Sequence, residues 1–235
     1  MIDTLLSQRP NNGIYWDELS YSKTPYHYSE PWDQCSGDID RKTGKVIRLK
    51  SSVALLTKPW RLKQAKKIQQ KGLLLGNGPL FCDDIRALNI QTFVETARSE
   101  FAARAQLYSP IALGNHLIES DEGDCYRNML SALDYGCVYA WYSGWISVKY
   151  QTLAGSMYPI TPIELGPGYI IGEERIITRK SGWYGWNDTS SHELVVFDAT
   201  GRLVEDFVAP QEKRNGNNFT KLELPPNFSA VIIKK

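Results

Sequence analysis

The sequence predicts an α/β domain followed by an all-β one, and two observations carry that prediction. Over the first part of the chain, short and nearly all-apolar runs alternate with helical ones, the pattern of a parallel sheet covered on both faces. From about Ser156 onward the helical period disappears. YIIGEERIIT, ELVVFDATGRLVEDF and LPPNFSAVIIKK read as strands, with a hairpin turn at Asp198 to Gly201. The boundary is placed between residues 153 and 154, so that 154–235 forms a small β-sandwich.

GIYWD (Gly13 to Asp17) is the first strand, an apolar run rising out of a turn and ending on a carboxylate. A loop rich in Tyr, Ser, Pro and Asp follows, from Glu18 to Lys50. Inside it DIDRKTGKVIRLK carries a D-x-x-T-G turn, which predicts a small β-hairpin. SSVALLTKPWRLKQAKKIQQKG offers a Ser cap, helical periodicity and a closing Gly72, with Pro59 marking either the true start or a kink. LLLGN (Leu73 to Asn77) is the second strand, followed by a short helix near Asp83 to Leu88. TFVET (Thr92 to Thr96) is the third, followed by the Ala- and Arg-rich RSEFAARAQLY; PIALGNH (Pro110 to His116) is the fourth. DEGDCYRNMLSALDYG reads as a capped amphipathic helix ending at Gly136, and CVYAWYS (Cys137 to Ser143) as the fifth strand.

Composition excludes several classes. The chain has 235 residues, a net charge of +1 and 42% hydrophobic residues, which gives no electrostatic case for nucleic acid. Its one basic cluster, Arg61 to Lys71, reads as the solvated face of a helix. No basic-then-apolar leader opens the sequence and no apolar run is long enough to span a bilayer, so a soluble chain with no membrane partner is expected. The four cysteines form no zinc spacing: Cys125 and Cys137 fall in apolar segments as inert thiols, and whether Cys35 meets Cys82 stays open. GDIDRKTG lacks the third acidic ligand and distal Glu of a calcium loop, and GLLLGNGP lacks the Lys-Ser/Thr of a phosphate loop. No cofactor is expected.

The chemistry is expected where the strands end. Each of the five closes on a polar or amphipathic residue: Asp17, Asn77, Glu95, Asn115 with His116, and Tyr142 with Ser143. In a parallel sheet these positions share the carboxyl end, where ligands bind. Aromatic residues beside Gly, Asn and Asp suit stacking on the apolar face of a sugar, although the same rings fill cores.

The order Y-W-D at one strand end, a carboxylate two strands later and a β-sandwich after the last strand resembles the C-terminal half of a (β/α)8-barrel glycoside hydrolase. The type it is similar to is that of retaining α-galactosidases and endo-α-N-acetylgalactosaminidases. The resemblance implies a partial barrel in which GIYWD is strand four, LLLGN five, TFVET six, PIALGN seven and VYAWYS eight. It implies Asp17 as nucleophile and Glu95 as acid/base, the two carboxylates that glycoside hydrolysis needs. The bland alternative for Glu95 is a structural pair with Arg98.

Substrate contacts are expected from Glu18, Asn77, Arg98, Asn115, His116, Trp141 and Tyr142, and Trp32 with Asp33 would cap a subsite. Five of eight strands precede the sandwich, so the chain reads as a fragment or truncated form of a longer enzyme. Such a piece would self-associate or need its missing N-terminal half. The rival reading is a non-catalytic carbohydrate-binding or accessory protein on the same scaffold; a third is a small α/β protein with an unrelated pocket. GWYGWND in the β-rich part is either an aromatic sugar patch or a turn whose rings pack inward.

Overall fold

The structure, a computed structural model, describes residues 2–8, 13–19, 22–78, 82–95, 112–115, 121–139 and 150–235. The chain divides into two compact units, Met1–Thr92 with Tyr108–Pro110, and Phe93–Leu107 with Ile111–Lys235.

In the first unit, α1 (Ile2–Gln8) precedes β1 (Gly13–Trp16). Short strands β2 (Tyr26–His27), β3 (Gly37–Ile39), β4 (Val46–Leu49) and β5 (Ser51–Ser52) then occupy the loop. The β3–β4 hairpin is antiparallel, its turn fixed where the Asp40 carboxylate accepts from the backbone N–H groups of Lys42 and Thr43. Next come α2 (Val53–Gln69), β6 (Leu73–Asn77) and α3 (Asp83–Arg86), and β7 (Gln91–Glu95) begins in this unit. Helix α2 runs unbroken through Pro59, whose missing N–H leaves the Leu55 carbonyl without its helical donor.

β1 pairs with β6 in parallel, Gly13 opposite Leu73 through Trp16 opposite Gly76. The core gathers Leu19, Ala65, Ile68, Leu74, Ile85 and Ile90. Ile14 and Trp16, alternate residues of β1, pack against it, which turns Tyr15 and Asp17 to the other side of the strand.

The second unit holds β8 (Ala112–Asn115), α4 (Glu122–Leu133), β9 (Val138–Tyr139) and α5 (Leu153–Ser156), with β8 and β9 parallel. Asp121 caps α4 by accepting from the Asp124 N–H at 2.8 Å, and Gly136 at φ +66° closes it. β10 (Pro162–Gly166), β11 (Tyr169–Gly172), β12 (Arg175–Thr178), β13 (Gly182–Tyr184), β14 (His192–Phe197), β15 (Gln211–Arg214), β16 (Asn217–Leu222) and β17 (Ser229–Lys234) complete the chain. They form two antiparallel sheets ordered β10-β11-β12-β17-β14 and β13-β16-β15, which share a core of Ile176, Val196, Leu222, Ala230 and Ile232. Helix α4 docks on this sandwich through buried Tyr126, whose hydroxyl donates to the Asn227 carbonyl at 3.0 Å.

The expected partial (β/α)8 barrel is corrected by these elements. The described residues are mostly strands in several small sheets, and only two of the five described helices, α2 and α4, exceed seven residues. A barrel repeat needs an amphipathic helix after each strand to cover its outer face. After β1 the chain instead spends residues 22–52 on β2 to β5, where the turn residues read in the sequence win over any helical period. After β6 the helix is a single turn, α3. The helix expected at RSEFAARAQLY lies outside the described residues.

Candidate functional site

The polar ends of β1 and β6 come together. Asp17 follows the last residue of β1 and Asn77 is the last of β6, so parallel pairing sets them side by side. Asn77 Nδ2 donates to Asp17 Oδ1 at 2.8 Å, and the Tyr15 hydroxyl donates to the same oxygen at 2.9 Å. Tyr15 is within reach because residues two apart on a strand share a face. Among the described residues, no side chain donates to Oδ2. The carboxyl is held below the ordinary carboxylate range by the Asn77 bond first and the Tyr15 bond second, against a small opposing effect of burial. Asp17 is therefore a carboxylate favoured in its ionised form, with one oxygen fixed by two donors.

The turn that carries Asp17 is itself pinned. Glu18 sits at φ +50°, a left-handed conformation that costs a non-glycine residue about 1 kcal/mol. It is held there because Leu19, 1% exposed, drives into the core beyond it. The Leu19 N–H donates to the Asn77 carbonyl at 3.0 Å, and Arg61 Nη1 donates to the Leu19 carbonyl. Asn77 thus grips the turn twice, once by its backbone and once by its amide. Gly76 is required beneath: a Cβ there would lie 2.5 Å from Leu19 Cδ2.

A groove of about 320 Å³ runs along the open edge of β1, walled by α1 and α2. Asp17, Glu18 and Arg61 line it, as do Tyr15, Trp16 and Trp60. Trp16 and Trp60 meet edge to face, ring centroids 5.7 Å apart, so the core-packed ring braces the exposed one. Burial lowers the pKa of the Arg61 guanidinium. Arg61 thus stands at the groove and against the Leu19 backbone, while Lys63, Lys66 and Lys71 of the same cluster are exposed, the solvated helix face expected there.

The remaining expected residues fare differently. Glu18 lines the groove beside Asp17. Glu95 closes β7 and Asn115 closes β8 in the second unit, at the strand ends expected, with side chains outside the description. Arg98, His116, Trp141 and Tyr142 lie outside the described residues.

Asp33 has a structural role in its loop. Its carboxylate accepts from the backbone N–H groups of Cys35, Ser36 and Ser52 and from the Ser36 hydroxyl, which holds its pKa far below the usual range. It clamps the loop to the start of α2. Trp32 lines a separate hollow of about 350 Å³ against the β3–β4 hairpin. Among the described residues that line it the one cation is Lys50, 2.9 Å from Asp38, which makes that hollow a poorer site for chemistry.

In GWYGWND, Trp186 donates to the Gly172 carbonyl at 2.6 Å and packs on His192, so its ring belongs to the sandwich core. Trp183 lies under the Arg214 guanidinium. All four cysteines are free thiols. Among the described residues no three His, Cys, Asp or Glu side chains are grouped to hold a metal, and no helix is long and apolar enough to cross a membrane.

Sequence reasoning missed Tyr15, Trp60 and Arg61. Tyr15 carries a usable signal, since it stands two residues before Asp17 on a strand. Trp60 and Arg61 carry none in the linear pattern, because their reach depends on how α2 packs against β1. Comparison with known protein families, curated proteins and solved structures finds no match to this chain.

Proposed function

We propose that this chain hydrolyses a glycosidic bond, with Asp17 as the attacking carboxylate. One observation carries the reading. Asp17 has its pKa held down and its Oδ1 fixed by Asn77 and Tyr15, and among the described residues no side chain donates to its Oδ2 at the mouth of an aromatic-lined groove. A retaining glycosidase needs that division of labour: one oxygen oriented, the other attacking the anomeric carbon to form a glycosyl ester. The indole and phenol rings at the groove supply faces on which a sugar stacks. In that chemistry the leaving oxygen takes a proton from a general acid, and water then cleaves the glycosyl ester. The likeness to retaining α-galactosidase-type enzymes contributes the position of the nucleophile and nothing of the barrel.

The second reading is recognition without turnover. It is favoured by the exposure of Asp17, whose carboxylate is oriented by one amide and one phenol as a sugar hydroxyl acceptor would be. A panel of aryl glycosides assayed with the full chain and with Asp17→Asn separates the two. Release of the aryl alcohol by the native chain, abolished in Asp17→Asn while binding persists, supports hydrolysis. Binding by the native chain with no release across the panel supports recognition alone, and neither binding nor release refutes both.

A further inference from the structure

The β3–β4 hairpin carries an apolar face that its own register creates. Asp38 lies opposite Arg48 but Ile39 lies opposite Val46, so β4 has one residue more than β3, and Ile47 is the extra one. Asp38 and Arg48 share one face, where Arg48 donates to Asp38 Oδ2 through Nε at 2.9 Å and Nη2 at 2.6 Å. The pairs Gly37 with Leu49 and Ile39 with Val46 fall on the other face. There Ile39, Val46 and Leu49 are 59%, 58% and 54% exposed, and with Trp32 they line the hollow of about 350 Å³. Gly37 keeps it open, since a Cβ there would lie 3.1 Å from Val46 Cγ1. The loop that presents Trp32 is fixed in advance. The Trp32 N–H donates to Glu30 Oε2 at 3.0 Å, the Asp33 N–H to Ser51 Oγ at 2.8 Å, and the Asp33 carboxylate holds the turn that follows. The Lys50 cation, which also lines the hollow, is already matched: its Nζ is 2.9 Å from Asp38 Oδ1 and 4.0 Å from the centre of the Tyr26 ring.

We propose that this hollow is a second ligand site, which takes a small uncharged aromatic molecule. It shares no lining residue with the Asp17 groove and does not depend on the glycoside reading. Its volume stands at the small end of preformed ligand pockets, and an indole ring beside three aliphatic side chains suits a flat apolar body. Covering Ile39, Val46 and Leu49 removes apolar surface from water, which is the source of affinity. Charge selects against ions. An anion gains little from a Lys50 whose charge Asp38 and Tyr26 already engage, and a cation would meet Lys50 itself. Size selects against a second copy of the chain: three half-exposed aliphatic side chains fall short of the roughly 800 Å² per partner that a stable dimer buries.

Isothermal titration of the full chain with three naphthalene probes of one shape tests this: the neutral carboxamide, the naphthoate anion and the naphthylmethylammonium cation. The carboxamide should bind about tenfold more tightly than either ion. Ile39→Asn and Leu49→Asn, both at exposed positions that the fold tolerates, should each weaken it about tenfold. Ile47→Asn, in the same hairpin but outside the lining, should leave it unchanged. Asp38→Asn takes the carboxylate partner from Lys50 and should raise naphthoate affinity relative to the carboxamide. Cys35 lines the hollow, so bound carboxamide should slow its thiol labelling. No binding by any probe, tightest binding of an ion by the native chain, or carboxamide affinity and Cys35 labelling indifferent to these changes overturns the proposal. Self-association of the native chain that Ile39→Asn abolishes also overturns it, and assigns the face to a second copy.

Discussion

Replacing Asn77 by alanine removes the 2.8 Å donor to Asp17 Oδ1 but leaves the Asn77 carbonyl that accepts from Leu19, so the turn keeps its backbone anchor. A hydrogen bond to an ionised acceptor contributes about 1.5–3 kcal/mol where water is excluded. Asp17 is open to solvent, so water replaces the lost amide and the loss falls to about 1 kcal/mol. With its largest stabilising donor gone, the Asp17 pKa should rise in Asn77→Ala.

The direction in stability follows from the same shift. The folded pKa of Asp17 is depressed, so its contribution is present above the unfolded value of about 3.9 and lost as pH falls through the folded one. Native and Asn77→Ala chains should therefore differ by about 1 kcal/mol in urea denaturation at pH 6 and converge as the pH drops below about 4. Carbon-13 titration of the Asp17 carboxyl, assigned with Asp17→Asn, measures the pKa directly. Tyr15→Phe should raise it as well, since both donors act on one oxygen. A carboxyl pKa unchanged in both variants would show that neither bond holds the anion, and the reasoning behind the nucleophile would fail with it.

Gly76→Ala places a Cβ 2.5 Å from Leu19 Cδ2 and should destabilise the first unit by about 1–3 kcal/mol, read as a lower urea midpoint; an unchanged midpoint would mean that Leu19 can withdraw freely. Thiol titration of the native chain should label exposed Cys35 first and leave Cys137 unlabelled until denaturant is added, because burial pushes its thiol up to about 12. Labelling of Cys137 at the rate of Cys35 would contradict its burial. His192 is buried, its Nδ1 2.8 Å from the Thr220 hydroxyl and its Nε2 without a partner, and burial, with Lys234 nearby, lowers its pKa against the pull of Asp188. The unfolded chain thus takes up the proton more readily, so stability should decline as pH falls below about 6.5. His192→Gln should flatten that decline, and an identical pH profile in this variant would refute the assignment.

Local pattern made several elements legible. LLLGN is β6 residue for residue, and the Asp121 cap with Gly136 delimits α4 because both signals are local bonds that the chain makes with itself. The D-x-x-T-G hairpin formed for the same reason, through Asp40. The barrel was not legible, since closure depends on which strands pair across long stretches of chain and on helices long enough to cover them. A run such as DDIRALN satisfies a helical pattern yet supplies one turn, and the loop after β1 satisfies its own backbone through Asp33 rather than through a helix.

The site divides along the same line. Asp17 and Asn77 could be read from sequence because a parallel pair needs no further information to bring two strand ends together. What the linear pattern could not give is why Asp17 is ionised and oriented. That comes from the hydrogen bonds of Asn77 and Tyr15, from the left-handed Glu18 and from Leu19 buried over Gly76. The last two supports are conformational and apolar, and neither resembles a catalytic residue. A carboxylate at a strand end is common; one whose turn is gripped by Asn77 from two sides and by Arg61 from a third is held at a geometry that the first unit's packing maintains. It follows that the variants most damaging to this site need not touch the carboxylate: loss of the Leu19 side chain should release the turn, and with it the ionised oxygen on which the proposed chemistry depends.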